Sequence, residues 1–124
     1  MLDKSKITIF EKFATGEEEP DKVIYEDNKI IAFKNINPRA SVHIILIPKQ
    51  KITSLAEATE EHTQLLGYMM VKASEIAHEQ GVGKTGFRVH MNTGTDANQT
   101  IPYLHLHITG GENLGSAVGG PLEC

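Results

Sequence analysis

The sequence predicts an α+β fold: a mostly antiparallel five-stranded sheet with one long and one short helix. Three observations point there. Short runs rich in β-branched and apolar residues, bounded by turn chemistry, recur at 22–26, 30–34, 41–47, 87–91 and 103–109. One longer stretch, 59–80, instead repeats its apolar residues at helical spacing. The chain of 124 residues is 40% hydrophobic and 23% charged, enough for one domain with its own core. That domain is expected to hold its core within about residues 8–111, with a glycine-rich tail over 112–124.

The elements follow in order. Ile7 to Ala14 places Ile9, Phe10 and Phe13 on one helical face, and Gly16 stops the helix. Lys22–Glu26 and Ile30–Lys34 flank Asp27-Asn28, the signature of a hairpin. After the loop Asn35–Ala40, Ser41–Ile47 reads as a buried central strand ended by Pro48. Thr59 is the expected N-cap of the long helix and Gly81 its stop. Its stripe comprises Leu65, Leu66, Met69, Met70, Ala73, Ile76 and Ala77. Phe87–Met91 is the fourth strand, Asn92–Thr100 a polar loop, and Tyr103–Thr109 the fifth strand. Gly110 to Cys124 carries five glycines and is expected to be mobile.

Composition narrows the function classes. Twelve basic against sixteen acidic residues give a net charge of −4, and Lys and Arg are scattered. No basic face of the kind that neutralises a phosphate backbone is visible, so nucleic acid is not an expected partner. The longest apolar run, Val42 to Pro48, is far shorter than the ~20 residues of a membrane-spanning helix. No apolar leader follows Met1, and the single cysteine, Cys124, precludes an internal disulfide. A cytoplasmic protein, possible also in the nucleus, is the economical expectation, with no membrane partner. Three histidines get ordinary roles on spacing alone. His62 reads as solvated, His78 as complementing the helix dipole, and His90 as a surface or interface residue.

The chemistry concentrates near the C-terminal end. In Tyr103-Leu104-His105-Leu106-His107-Ile108, strict alternation sends Leu104, Leu106 and Ile108 to the core and Tyr103, His105 and His107 to the other face. Successive residues on that face lie about 6.6 Å apart, so two imidazoles can meet one ligand group or one metal. In the preceding loop, Asn92, Gly94, Gln99 and Thr100 offer amide and hydroxyl donors and a close backbone approach. Such donors beside nucleophilic imidazoles suit a phosphoryl group.

The run Asn92 to Gly111, with Asn-x-Gly, a Gln-Thr step and alternating histidines, resembles the signature of the histidine triad (HIT) family. Asn37 to Lys49 and the closing Gly110-Gly111 resemble its Hint branch, the purine nucleoside phosphoramidases; the likeness runs from about Thr8 to Gly111. The resemblance implies that His105 is the nucleophile that forms a nucleotidyl-imidazole, with His43 supporting the triad. It implies that His107, Asn92, Gln99 and Thr100 hold the phosphate and leaving group, beside Gly94. Phe10, Phe33, Ile36 and Ile45 would then sandwich a purine, and Asn35 would contact the ribose. A homodimer with sheets and long helices paired across a two-fold axis is implied as well, with no cofactor and no metal.

Two positions depart from the family pattern. Tyr103 stands where the first triad histidine would be, and a phenol with a pKa near 10 cannot relay a proton near neutrality. Tyr103 is still expected to line the substrate site. Asn35 stands where the family has Asp, so ribose binding should be less exacting. The expected activity is cleavage of the P–N bond of purine nucleoside 5′-phosphoramidates. The alternative is a nucleotide-binding regulatory module whose turnover Tyr103 has weakened. A metal-binding barrel using His105, His107 and Glu112 is a third possibility, disfavoured by the long helix.

Overall fold

The computed structural model describes residues 7–117. The reading of the N-terminal segment, and those of the far tail and Cys124, lie outside the described residues. Thr8 accepts a hydrogen bond from the Glu11 amide at 3.1 Å and so caps α1, Ile9–Thr15. Gly16 closes it at φ 83°, donating to the Phe13 carbonyl. The helix buries Phe10 and leaves its polar side to water.

The five strands are β1 (Val23–Glu26), β2 (Ile30–Lys34), β3 (Val42–Pro48), β4 (Phe87–His90) and β5 (Leu106–Gly110). They form one antiparallel sheet in the order β1-β2-β3-β5-β4. Alternation divides their side chains between two faces. One face carries Ile30, Ala32, Ile44, Leu46, Leu106 and Ile108 against the long helix α2, Thr63–Glu79, which contributes Met69, Ala73, Ile76 and Ala77. The other carries Ile31, Phe33, Ile45 and Ile47 beneath Phe10 of α1, with Tyr103 beside them. Each fully buried aliphatic side chain contributes about 1.5–3 kcal/mol, so both faces are held chiefly by the hydrophobic effect.

Three features differ from expectation. Thr59 does act as a cap, but of a 3₁₀ turn, Glu60–His62, that precedes α2. There His62 is not merely solvated: its Nδ1 accepts from the Thr59 amide at 2.9 Å and completes a capping box. The inward stripe of α2 is narrower than the sequence suggests, since Met70 is 51% exposed. The last strand starts at Leu106 rather than Tyr103, because Leu46↔Leu106 is the final pair with β3. Upstream of it Pro102 has no N–H to offer, and Leu104 donates instead to the Ile52 carbonyl at 2.7 Å.

Asp27 ties the hairpin to the helix. Its Oδ1 accepts from the amides of Lys29 and Ile30, at 2.7 and 3.0 Å, closing the β1–β2 turn. Its Oδ2 accepts from Tyr25 at 2.8 Å and from Tyr68 on α2. Partial burial pushes this carboxyl up, but the hydrogen bonds from Tyr68, Lys29, Tyr25 and Ile30 outweigh that and hold it at about 2. The resulting stabilisation is present above about pH 4 and is lost as pH falls through about 2. Asp27→Asn is expected to cost about 1 kcal/mol, a charged hydrogen-bond cluster discounted for its partial exposure. Chemical denaturation at pH 7 reads this as a lower midpoint with an unchanged slope.

Candidate active site

The sheet register builds the site row by row. Phe33, Ile45, His107 and His90 lie side by side across β2, β3, β5 and β4. In the next row His43, Thr109 and Arg88 align across β3, β5 and β4. All therefore share the face that α1 partly covers. His43, His105 and His107 are buried, at 4%, 1% and 0% exposure.

Hydrogen bonds fix which nitrogen of each ring carries the proton. His105 Nδ1–H donates to the Tyr103 carbonyl at 2.6 Å, which leaves the ring's lone pair on Nε2. The Arg39 amide donates to His43 Nδ1 at 3.0 Å, so the neutral His43 ring holds its proton on Nε2. That Nε2–H donates to His107 Nδ1 at 2.8 Å. His107 is thereby left with its proton on Nε2. One backbone amide thus sets the tautomers of two imidazoles, giving a nucleophilic nitrogen on His105 and an N–H donor on His107.

Burial also holds all four neighbouring imidazoles neutral near pH 7. It lowers His43 to about 4, reinforced by His90 and Arg39. It holds His107 lower still, with the other three histidines adding to the effect. His105 is lowered by burial too, partly offset by its bond to Tyr103. His90 is lowered by burial and then by Arg88.

Beside the histidines opens a cavity of about 380 Å³, lined by Phe10, Phe13, Phe33, Asn35, Ile36 and Ile45 among others. Phe10 links the two, packing edge-on to His105 at 5.1 Å and to Phe33 at 5.6 Å. An apolar cleft of this size ending at polar groups is suited to a flat heteroaromatic ring. Asn35 sits at the join. Its Oδ1 accepts from the Asn37 amide at 2.9 Å, and its Nδ2 comes within 3.3 Å of His43 Nε2. That nitrogen already donates to His107, so His43 meets a second donor where a carboxylate would have offered an acceptor.

The loop between β4 and β5 has two kinds of residue. Gly94 adopts φ 82° and its amide donates to Gln99 Oε1 at 2.8 Å. Gln99 Nε2 donates to the carbonyls of Thr53 and Ile101, at 2.9 and 3.0 Å. Asn92 differs: its Nδ2 is buried with no hydrogen-bond partner among the described residues. Thr100 is exposed at the loop's end.

The structure thus brings together Phe10, Phe33, Asn35, Ile36 and Ile45 around one cavity and His43, His105 and His107 beside it. Two expected substrate contacts are placed otherwise. Tyr103 is fully buried, its hydroxyl donating to the Pro48 carbonyl at 2.5 Å, so its contribution near the site is the main-chain oxygen that holds His105. The Gln99 side chain is spent on bracing the loop. His90, expected at the surface or an interface, lies flat against His107, with ring centroids 4.4 Å apart and planes 2° from parallel. Glu112 accepts from the Ser41 amide and hydroxyl at 2.6 and 2.7 Å, which engages it away from the histidines. No group of three or more His, Cys, Asp or Glu side chains that could hold a metal occurs among the described residues.

Comparison with known proteins identifies the family and fold. The family model described as "Scavenger mRNA decapping enzyme C-term binding" matches residues 8–118. The purine nucleoside phosphoramidase of Escherichia coli K12 is 37% identical over 108 residues, covering 87% of this chain and 90% of that protein. The histidine triad protein of Clostridium difficile superposes with a TM-score of 0.82 at 38% identity, covering 87% and 93% of the two chains. The chain belongs to the histidine triad family. A HIT family hydrolase from Legionella pneumophila has the same fold, with a TM-score of 0.87 at 31% identity over 91% of this chain and all of that one. This histidine triad protein is accordingly a hydrolase with two histidines of the motif in place and tyrosine at the remaining position. The contact of Tyr103 with His105 is made by backbone, so it does not depend on the side chain at that position.

Proposed function

We propose that this protein hydrolyses purine nucleoside 5′-phosphoramidates through a nucleotidyl-histidine intermediate. The observation that carries the reading is the Tyr103 carbonyl on His105 Nδ1, which leaves the reactive lone pair on Nε2 of a ring packed against Phe10, itself part of the cavity wall. In this reading the purine lies between Phe10, Phe33, Ile36 and Ile45, with the ribose near Asn35. The α-phosphoryl group rests against His105, with His107 Nε2–H and Asn92 Nδ2 as donors to its oxygens. His105 Nε2 attacks phosphorus, the P–N bond breaks, and the amine departs with a proton from solvent. Water then cleaves the N–P bond, returning neutral His105 and releasing the nucleoside monophosphate. Donors already fixed in place stabilise the developing charge without rearrangement.

Incubation with adenosine 5′-phosphoramidate, quenched during turnover, tests this. Adenylate attached to His105 is expected by mass spectrometry; release of AMP with no adenylylated protein would refute the covalent route. Binding of AMP without any turnover would support the regulatory-module alternative instead.

A homodimer is the assembly proposed for this activity. β4 is an edge strand with β5 as its neighbour, and Met70 and Val71 are 51% and 59% exposed on the outer side of α2. Sedimentation at micromolar concentration should give twice the monomer mass, and a monomer there would exclude it.

A further inference from the structure

Residues 91–105 leave the sheet between β4 and β5, and they carry both Asn92 and His105. Strand pairing does not hold this stretch, so other hydrogen bonds must. Three of them converge on the Gln99 side chain, which is 3% exposed. Its Oε1 accepts from Gly94, two residues past Asn92, and the Gln99 main-chain amide donates back to the Gly94 carbonyl at 3.0 Å. Its Nε2 donates to Thr53, in the connection that follows β3, and to Ile101. The Ile101 carbonyl also accepts from the Tyr103 amide at 2.8 Å, and the Tyr103 carbonyl in turn holds His105 Nδ1. Ile52, next to Thr53, is buried in the core shared with α2 and accepts from Leu104. One carboxamide therefore joins the loop of Asn92, the approach to His105 and a segment anchored in the core.

The same bonds limit what Gln99 can offer a ligand. A carboxamide has two N–H donors and two lone pairs on oxygen. Both carbonyl contacts draw on the donors and Gly94 occupies one lone pair, so what remains is an acceptor. An anionic phosphoryl oxygen has no use for an acceptor.

We propose that Gln99 is a positioning residue: it fixes Asn92 relative to His105 and makes no contact with the phosphoryl group. This rests on the reading above, in which that group lies between His105 and Asn92. Donors stabilise developing charge best when they are already in place. A loop released from Thr53 and Ile101 still admits nucleotide, but with Asn92 and the nucleophile out of alignment. The loss falls on the chemical step more than on binding.

Gln99→Met tests this, because it keeps the length of the side chain and removes all three bonds. Hydrogen exchange of the free protein, followed by NMR, is expected to show the Gly94 amide exchanging at least about tenfold faster in the variant, with α2 unchanged. For adenosine 5′-phosphoramidate, kcat is expected to fall about thirtyfold, with KM and AMP affinity within about threefold of wild type. In wild type, the Gln99 side-chain amide protons should exchange slowly and keep their chemical shifts when AMP is added. Unchanged Gly94 exchange in a folded variant would overturn the proposal, as would an unchanged kcat once the loop is loosened. So would a loss of AMP affinity with adenosine affinity intact and the loop still protected, the mark of a phosphate ligand. Should Gln99→Met fail to fold, the wild-type amide protons decide alone: a large shift on AMP binding refutes the positioning role. The exchange measurements need no substrate, so AMP binding without turnover in wild type would count against the hydrolase reading and not against this one.

Discussion

His105→Asn is expected to lower phosphoramidate turnover by more than about a thousandfold while leaving AMP affinity within a few-fold of wild type. Asparagine is the informative substitution. Its Nδ2–H can occupy the place of the imidazole Nδ1–H and keep the bond to the Tyr103 carbonyl, but it offers no nitrogen lone pair to phosphorus. Alanine would remove more than the nucleophile. His105 is 1% exposed and packs edge-on to Phe10, so truncation opens a void between the purine cavity and the sheet. Loss of both turnover and nucleotide binding in His105→Ala would therefore be ambiguous, whereas His105→Asn separates the two. Turnover in His105→Asn at the wild-type rate would eliminate the nucleotidyl-histidine.

The apparent melting temperature is expected to fall steeply between pH 7 and pH 5, well above the range in which carboxylates titrate. The sign follows from the buried imidazoles. His43, His90, His105 and His107 all have lowered pKa values in the fold, so below about pH 6.5 the unfolded chain binds more protons than the folded one. Stability then decreases with falling pH, at up to about 1.4 kcal/mol per unit for each group that stays neutral. For His43, held near 4, the loss reaches about 2 kcal/mol by pH 5 and stops growing once the folded group itself protonates. Against a total stability of roughly 5–15 kcal/mol this is a large fraction. Thermal unfolding followed by circular dichroism at half-unit steps measures it; a melting temperature constant across that interval would show that the rings are charged in the fold.

Much of the fold was legible because it rests on local rules. Alternation along 103–109 sent Leu104, Leu106 and Ile108 to the core, where they lie, and Asp27 marked the hairpin turn that it closes. The likeness carried by 92–111 singled out His105 and His107, which the fold buries near an apolar cavity built by residues distant in sequence. Three side chains show where such reading stops. Alternation placed Tyr103 on the site face, but the hydroxyl at the end of a long side chain goes where an acceptor lies, here the Pro48 carbonyl at the end of another strand. An amide such as Gln99 in a polar loop can bind ligand or brace the loop, and only the location of Thr53 and Ile101 decides. His90 could not be read from its own four-residue strand, since its meaning depends on the register between β4 and β5.

The Arg39 amide has a consequence for how this site can change over generations. The proton pattern of His43 and His107 originates in a peptide N–H, which nineteen of the twenty residue types possess. The side chain at position 39 can therefore drift without changing which nitrogen of either ring carries the proton, although a neutral residue there would remove a charge that helps lower His43, and proline is the replacement that would silence the instruction. A property that looks as though it belongs to two conspicuous imidazoles is inherited through a loop whose own identity can be forgotten.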